Sequence, residues 1–385
     1  MQILCRMGNF TRIYLRLAAF LTVFALLMAS CSPRDKYISF SGYAQGGTYT
    51  VKLNLNGKDG MIRKSPKAIK DSVDALLQAI DASLSGYNKK SLISKFNAGE
   101  VIVPDEFFLD IYEKGYQAYQ QTGGALDVAA APLFDIWGFG FKNGQMPGDE
   151  KVAETLAGCG MKGLVSDLRK VLRTDGTLFP ADVLAAPMNL TGANARNSGS
   201  QLQGEGAGVG ICPQLNYNAI AQGYSCDVIA EYLYSLGVKD MLVDIGEIFC
   251  DGHNPSGQQW GIGIDRPVDG NAVSGADLQA VFRVPSGPHG VVTSGNYRKF
   301  YVKDGKKYAH TIDPRTGYPV SHNLLSATIV APDATMADAY ATYCMVIGLE
   351  EAIAFIESAP ELEACLGYDD GGELRTWTSK GMSLL

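Results

Sequence analysis

Basic charge, histidine and paired cysteines are all in short supply in this chain. Lys and Arg total 33 against 40 Asp and Glu, a formal net charge of −7. That balance argues against a nucleic-acid binder, which needs a basic face. Only four histidines occur in 385 residues, so imidazole chemistry must draw on His253, His289, His310 or His322. None of the eight cysteines stands in a Cys-x-x-Cys pair, which removes the common zinc and dithiol redox patterns. Cys5 and Cys31 belong to the N-terminal segment. Cys159, Cys212, Cys226, Cys250, Cys344 and Cys365 have spacings that do not by themselves pair them. No Gly-x-x-x-x-Gly-Lys-Ser/Thr loop occurs. The glycine-rich run 204–210 does not satisfy Gly-x-Gly-x-x-Gly in any register and follows no strand, so a Rossmann reading is weak.

What remains is an ordinary globular composition, 46% hydrophobic and 19% charged, in a chain long enough for one large domain or two. Glycine is abundant at 44 residues, which points to tight turns or close approach of backbone to a ligand. The N-terminus reads as a targeting segment. Arg6, Arg12 and Arg16 accompany a short apolar run, 17–29, too short to span a bilayer comfortably. It ends in Leu27-Met28-Ala29-Ser30-Cys31, similar to a bacterial lipoprotein signal. Removal of residues 1–30, lipidation of Cys31 and a tether over 31–37 are therefore expected; a plain secretory signal with an incidental cysteine is the alternative.

Strands are expected over 38–44 and 48–55, around Gln45-Gly46-Gly47. Ser65-Pro66 starts a helix that carries Ile69, Val73, Leu76, Leu77, Ile80 and Leu84 at helical spacing. A second helix starts at Asp105 and ends at Gly123-Gly124. The run 123–140, dense in glycine, alanine and aromatics, suits either close-packed backbone around a flat ligand or a loop that simply packs. Residues 174–213 read as a flexible insertion or lid. A helix with Val228, Ile229, Tyr232, Leu233 and Leu236 on one side follows, capped by Gly237. Then come strands over 241–245, 260–265 and 278–284, a turn at Thr293-Ser294-Gly295, a strand over 299–302 and a hairpin turn at Asp304-Gly305. Helices over 336–347 and 350–358 and strands near 364–368 and 375–378 close the chain. Hairpins mixed with helices predict a mixed α/β (α+β) fold over 38–385, with largely antiparallel sheets flanked by helices.

The stretch 308–342 concentrates the chemistry. His310 stands beside a turn holding Asp313, Pro314, Arg315 and Gly317. Asp338 and Thr342 are four apart on a helix, so both oxygens share one face. Alanines between them would let a ligand come close, and a carboxylate with a hydroxyl suits a hard cation such as Mg²⁺. The bland alternative is a helix cap, with Thr335 at the N-cap and Asp338 as the returning acid.

Seven segments in order resemble the ApbE family of flavin transferases. They are 46–51 (GGTYTV), Ser85-Gly86-Tyr87 with 91–97 (SLISKFN), 123–127 with 132–140 (PLFDIWGFG), 218–227 (NAIAQGYSCD), 293–298 (TSGNYR), 310–319 (HTIDPRTGYP) and 337–342 (ADAYAT). The resemblance covers most of the mature chain and implies an ApbE-like, T-fold-type domain. It implies FAD as substrate, with FMN moved to a threonine or serine of a target protein and AMP released. It also implies Mg²⁺ on Asp338, Thr342 and the carbonyl of Ala219, and FAD against Gln45, Tyr87, Ala125, Leu126, Asp127, Asn216, Gln222 and Ile312. His310 is the candidate for taking the hydroxyl proton or positioning the phosphate. The implied setting is the periplasmic side of a Gram-negative-type cell membrane, the inner membrane being favoured. The implied acceptor is a flavin-carrying protein such as a subunit of a membrane redox pump.

The chain departs from the family pattern in places. Asn216-Tyr217-Asn218 and Gln222 replace Asp-Leu-Gly and a lysine, Gly47 replaces a common threonine, and Ile245-Gly246-Glu247 is one glycine short of Ile-Gly-Gly-Glu. The 174–213 region is longer than usual. A FAD pyrophosphatase and a non-catalytic flavin-binding lipoprotein are the alternatives. The stretch 271–277 faintly resembles an acceptor motif, but Asp277 stands where the hydroxyl belongs, so no self-modification is expected.

Overall fold

A computed structural model describes residues 36–140, 146–184, 213–268, 270–271, 275–296, 300–303 and 306–385, with backbone alone for 300–303 and 306–309. The expected signal segment, Cys31, Cys212, most of the 174–213 insertion, Arg298 and the Asp304-Gly305 turn lie outside the described residues.

β1 (Tyr37–Ala44) and β2 (Gly47–Asn54) form a hairpin that runs from Tyr37 opposite Asn54 to Ala44 opposite Gly47. Its two-residue turn sets Gln45 at φ 51° and Gly46 at φ 82°, the left-handed pair that matches the twist of hairpin strands. The short β3 (Asn56–Gly57) and β4 (Gly60–Met61) follow. α1 (Pro66–Leu84) starts where Ser65 accepts the amide of Ala68 at 3.2 Å. Next come α2 (Leu92–Asn97), α3 (Glu106–Gln121), α4 (Ala131–Ile136) and α5 (Asp149–Ala157), with Asp105 capping α3 through the amide of Phe108. α6 (Ala221–Ser235) runs out through Gly237, at φ 86°, into β5 (Met241–Asp244) and β6 (Ile248–Asp251). β7 (Gly261–Asp265), β8 (Leu278–Arg283), β9 (His289–Gly295), β10 (Phe300–Lys303), β11 (Lys306–Ala309), β12 (Ile312–Asp313), β13 (Tyr318–Pro319) and β14 (Leu324–Ala331) follow in order. α7 (Ala334–Ile347), α8 (Leu349–Ser358), β15 (Glu363–Asp370) and β16 (Glu373–Thr378) complete the chain.

Eight strands make one antiparallel sheet in the order β1-β2-β5-β6-β9-β14-β15-β16. Strand alternation divides its side chains between two cores. Val51, Leu53, Met241, Val243, Phe249, Ala327 and Ile329 face α1, α6, α7 and α8. Leu242, Cys250, Val291, Val330 and Cys365 face the other way, where the β7–β8 hairpin covers them with Trp260, Ile262 and Phe282. A third core, with Phe96, Phe108, Ile111, Leu168 and Leu178, joins α1 to α3 to the segment 161–183. Leu215, Tyr217 and Ile220 belong to that core too, so it anchors the approach to α6.

Two expectations change. Thr293-Ser294-Gly295 is the last part of β9, paired with β14 through Thr328, Ala327 and Ser326, and is not a turn. α7 is capped by Asp333, which accepts the amide of Met336 at 2.8 Å. Thr335 lies inside the helix and its hydroxyl donates to Asp227, so the Thr335–Asp338 capping box does not form.

Candidate active site

A cavity of about 330 Å³ opens where the third core meets the helix-covered face of the sheet. Five separated segments build most of its wall, 125–128, 216–222, 293–295, 310–314 and the α7 positions 338–346, with Tyr87, Phe134, Phe139 and Glu247 completing it.

The first segment follows α3. Gly123 and Gly124, at φ 58° and 84°, turn the chain in a way that residues with a Cβ resist. Thr122 Oγ1 then accepts the amide of Leu126 at 3.1 Å. Asp127 accepts the amides of Ala129 at 2.8 Å and Met161 at 2.9 Å, tying this loop to the segment beyond α5. Desolvation pushes its carboxyl up to about 6 despite those amides. The second segment hangs from the first: the amide of Asn216 donates to the Val128 carbonyl at 2.7 Å. Asn97 exchanges two hydrogen bonds with the backbone of Leu215, at 2.7 and 2.8 Å. These bonds bring Asn216, Asn218, Ala219 and Gln222 to the cavity at the N-terminal end of α6, an end suited to anions.

On α7, Asp338 and Thr342 both line the cavity. Asp338 is only 5% exposed, and the single hydrogen bond its side chain accepts from the described residues comes from the Gly223 amide, at 3.1 Å. Desolvation raises its pKa well above the ordinary carboxylate range, and the neighbouring charge of Asp227 adds to the rise. Among the described residues no cation contributes to the Asp338 pKa, and its one donor is that amide. Ser294, on the helix-facing side of β9, sets its Oγ 3.5 Å from Thr342 Oγ1. Among the described residues no group of three or more His, Cys, Asp or Glu side chains comes together. Any cation at this end would therefore rely on fewer than three such side chains, with hydroxyl and backbone oxygen beside them.

His310 is half-buried on the opposite wall, its ring edge-on to Phe139 with centroids 6.5 Å apart. Thr311 donates to Asn296 Oδ1 at 2.6 Å and Ile312 is fully buried, so the chain on the C-terminal side of the histidine is held firmly. Arg315 does not line the cavity. Its guanidinium binds Asp313 inside the same turn, at 3.0 and 2.9 Å.

The residues expected at a flavin site gather here with one exception. Tyr87, Ala125, Leu126, Asp127, Asn216, Gln222 and Ile312 line the cavity, as do Ala219, His310, Asp338 and Thr342. Gln45 is not among the lining residues; its amide donates to Ser225 on α6. Tyr87 is 67% exposed at the mouth, its hydroxyl 3.4 Å from the Asn218 amide. Gln222 donates to the Ile245 carbonyl at 3.1 Å, so its amide is engaged with the β5–β6 loop.

Sequence reasoning missed Glu247, Ser294, Phe134, Asn218 and Val346, all of which line the wall. Ser294 was hidden by the turn assigned to it. Glu247 had a signal in the short Ile245-Gly246-Glu247 loop; there Gly246 takes φ 94° and Glu247 accepts the Thr293 amide at 3.3 Å. The lining combines apolar side chains, Leu126, Phe134, Phe139 and Ile312, with hydroxyl, amide and carboxylate groups. That combination suits a ligand that carries both a flat ring and a charged group.

Comparison with known proteins gives a consistent result. The model of the ApbE family matches residues 46–366. The FAD:protein FMN transferase of Haemophilus influenzae is 30% identical over 340 residues, covering 86% of this chain and 87% of the relative. That of Escherichia coli is 30% identical over 329 residues, covering 83% and 82%. Among solved structures, the apo flavinyl transferase ApbE of Pseudomonas stutzeri superposes with a TM-score of 0.69 at 28% identity, covering 90% of this chain and 95% of its own. The flavin transferase ApbE of Vibrio cholerae gives 0.67 at 26% identity, covering 90% and 98%.

Proposed function

The chain belongs to the ApbE family, and on that premise we propose that it transfers FMN from FAD to a threonine or serine hydroxyl of a target protein and releases AMP. The observation that carries the proposal is the cavity, which is lined by Leu126, Phe134, Phe139 and Ile312 together with Ala219, Asp338 and Thr342.

The flavin lies against the apolar side chains and the diphosphate lies at the N-terminal end of α6. The residues present fit a magnesium ion, because the buried Asp338 carboxylate has only one hydrogen-bond donor among the described residues and Mg²⁺ takes few protein oxygens beside phosphate and water. Asp338, Thr342 and the Ala219 carbonyl would hold it, and when bound it would neutralise the diphosphate as a Lewis acid. His310 takes the proton of the acceptor hydroxyl as that oxygen bonds to the FMN-side phosphorus. The bond from this phosphorus to the bridging oxygen breaks, and AMP leaves with that oxygen. Little covalent work falls to the protein, so positioning and charge neutralisation dominate.

The test incubates the chain with FAD, MgCl₂ and an acceptor domain carrying a Ser/Thr-Gly-Ala-Thr segment. Fluorescence on the acceptor in a denaturing gel is the expected outcome. Free FMN and AMP with an unlabelled acceptor would instead make it a FAD pyrophosphatase, and intact bound FAD a passive binder. Asp338→Ala should abolish Mg²⁺-dependent turnover; retained activity would remove Asp338 from the site.

The same proposal places the mature chain on a lipid anchor at Cys31, facing the periplasm. The motif 27–31 supports this, and a membrane acceptor would then be within reach. Cys31→Ser should move the protein from the membrane fraction to the soluble fraction; continued sedimentation with membranes would refute the anchor.

A further inference from the structure

α6 and α7 exchange carboxylates. Asp227, in the second turn of α6, accepts the amides of Ala334 and Thr335, each at 2.8 Å, and the hydroxyl of Thr335 as well. In return Asp338 of α7 accepts the amide of Gly223, in the first turn of α6, at 3.1 Å. Asp333 caps α7 through the Met336 amide, and Asp227 takes two further first-turn amides from another helix, so the same bonds complete the cap and join the two helices. The approach is close: a Cβ on Gly223 would sit 2.2 Å from the Ala334 carbonyl oxygen and 3.0 Å from the Asp338 Cβ.

We propose that Asp227 is a positioning residue for the metal end of the cavity. The inference rests on the magnesium site proposed above. Its oxygens come from two places, Ala219 just before α6 and Asp338 with Thr342 on α7. Their separation is set by how α7 lies on α6. A single contact between two helices leaves them free to slide or pivot. Two contacts about a turn apart, Asp227 to Ala334 and Thr335 and then Gly223 to Asp338, set both spacing and axial register. Hydrogen bonds to an ionised carboxylate are short and directional, and Mg²⁺ tolerates little departure from octahedral geometry. Asp227 thus orients the ligands without touching the ion, as outer partners of metal ligands do.

The test titrates MgCl₂ into the FAD-loaded chain without acceptor, reading the thermal midpoint and the heat of binding. Asp227→Asn leaves one acceptor oxygen for three donors. Its half-saturating Mg²⁺ concentration should rise about tenfold, while FAD binding without Mg²⁺ stays within about twofold of wild type. Thr335→Val, which removes only the hydroxyl, should give a smaller rise of the same kind, and it decides the matter if Asp227→Asn does not fold. A carboxylate that only supports packing would lower the midpoint equally at every Mg²⁺ concentration and leave half-saturation unchanged; that result overturns the proposal. If the wild-type chain itself gives no Mg²⁺-dependent shift or heat, the magnesium site fails and this proposal falls with it, an outcome the wild-type titration alone identifies.

Discussion

At the scale of single residues, carboxylates behave according to who donates to them. Asp127 receives two backbone amides, Asp227 two amides and a hydroxyl, and Asp338 one amide. Asp338 and Thr342 were legible because a spacing of four puts two oxygens on one helical face. Asp127 was legible only through family resemblance, since no spacing announces a carboxylate that ties two loops together. Its pKa, raised to about 6 by desolvation, gives a pH prediction. A raised carboxyl pKa means that the fold favours the neutral form. The associated stability is present below about pH 4 and is lost as pH rises through about 6. In urea unfolding, Asp127→Asn should therefore gain on wild type by about 2 kcal/mol between pH 4 and pH 7.5, allowing for the partial exposure of the site. A constant difference across that range would mean that Asp127 titrates normally.

At the scale of elements, the contact between α6 and α7 matters most. The sequence supports a helix at both places: α6 ends just before Gly237 as patterning put it, and α7 runs from Ala334 to Ile347 against an expected 336–347. The cap was misassigned because Thr335 looks like a good N-cap in isolation, whereas Asp333 stands two residues earlier and Asp227 takes the threonine hydroxyl from another helix. Nothing local encodes that competition. Gly223 is likewise unremarkable in sequence, yet a Cβ there would collide with the Ala334 backbone. Gly223→Ala should destabilise the chain by about 3 kcal/mol through overpacking, measured by urea unfolding. Gly223 has helical backbone, where alanine is favoured over glycine, so a loss reports the helix contact. A variant as stable as wild type would show that the contact has room for the methyl group.

At the scale of the whole molecule, the cavity is assembled from segments as far apart as residues 87 and 346. A ligand that touches all of them binds the native chain and not the unfolded one. FAD with MgCl₂ at about a hundred times its dissociation constant should then add about 2.7 kcal/mol of stability. The expected readout is a single thermal transition moved upward. A shift confined to an early partial transition would show that FAD engages only some of these segments. The fold class was legible at this scale, because hairpins alternating with helices predict antiparallel sheets, and the eight-stranded sheet agrees. The order of its strands was not, because pairing such as β6 with β9 skips the intervening hairpin and leaves no local trace.

What the sequence determined by itself was the local repertoire. Periodicity and caps placed most strands and helices, Asp338 and Thr342 came out as a pair of oxygens, and ordered motifs brought the family into view. Only the tertiary structure decided which residues meet. It moved Ser294 from a turn to a strand facing Thr342, set Glu247 on the wall, turned Gln45 to Ser225 and paired Arg315 with its own turn. The physical reason is that spacing reports which side of an element a residue occupies, whereas a site depends on the distances between elements. In this chain those distances rest on a glycine too small to obstruct and carboxylates that reach across to another helix.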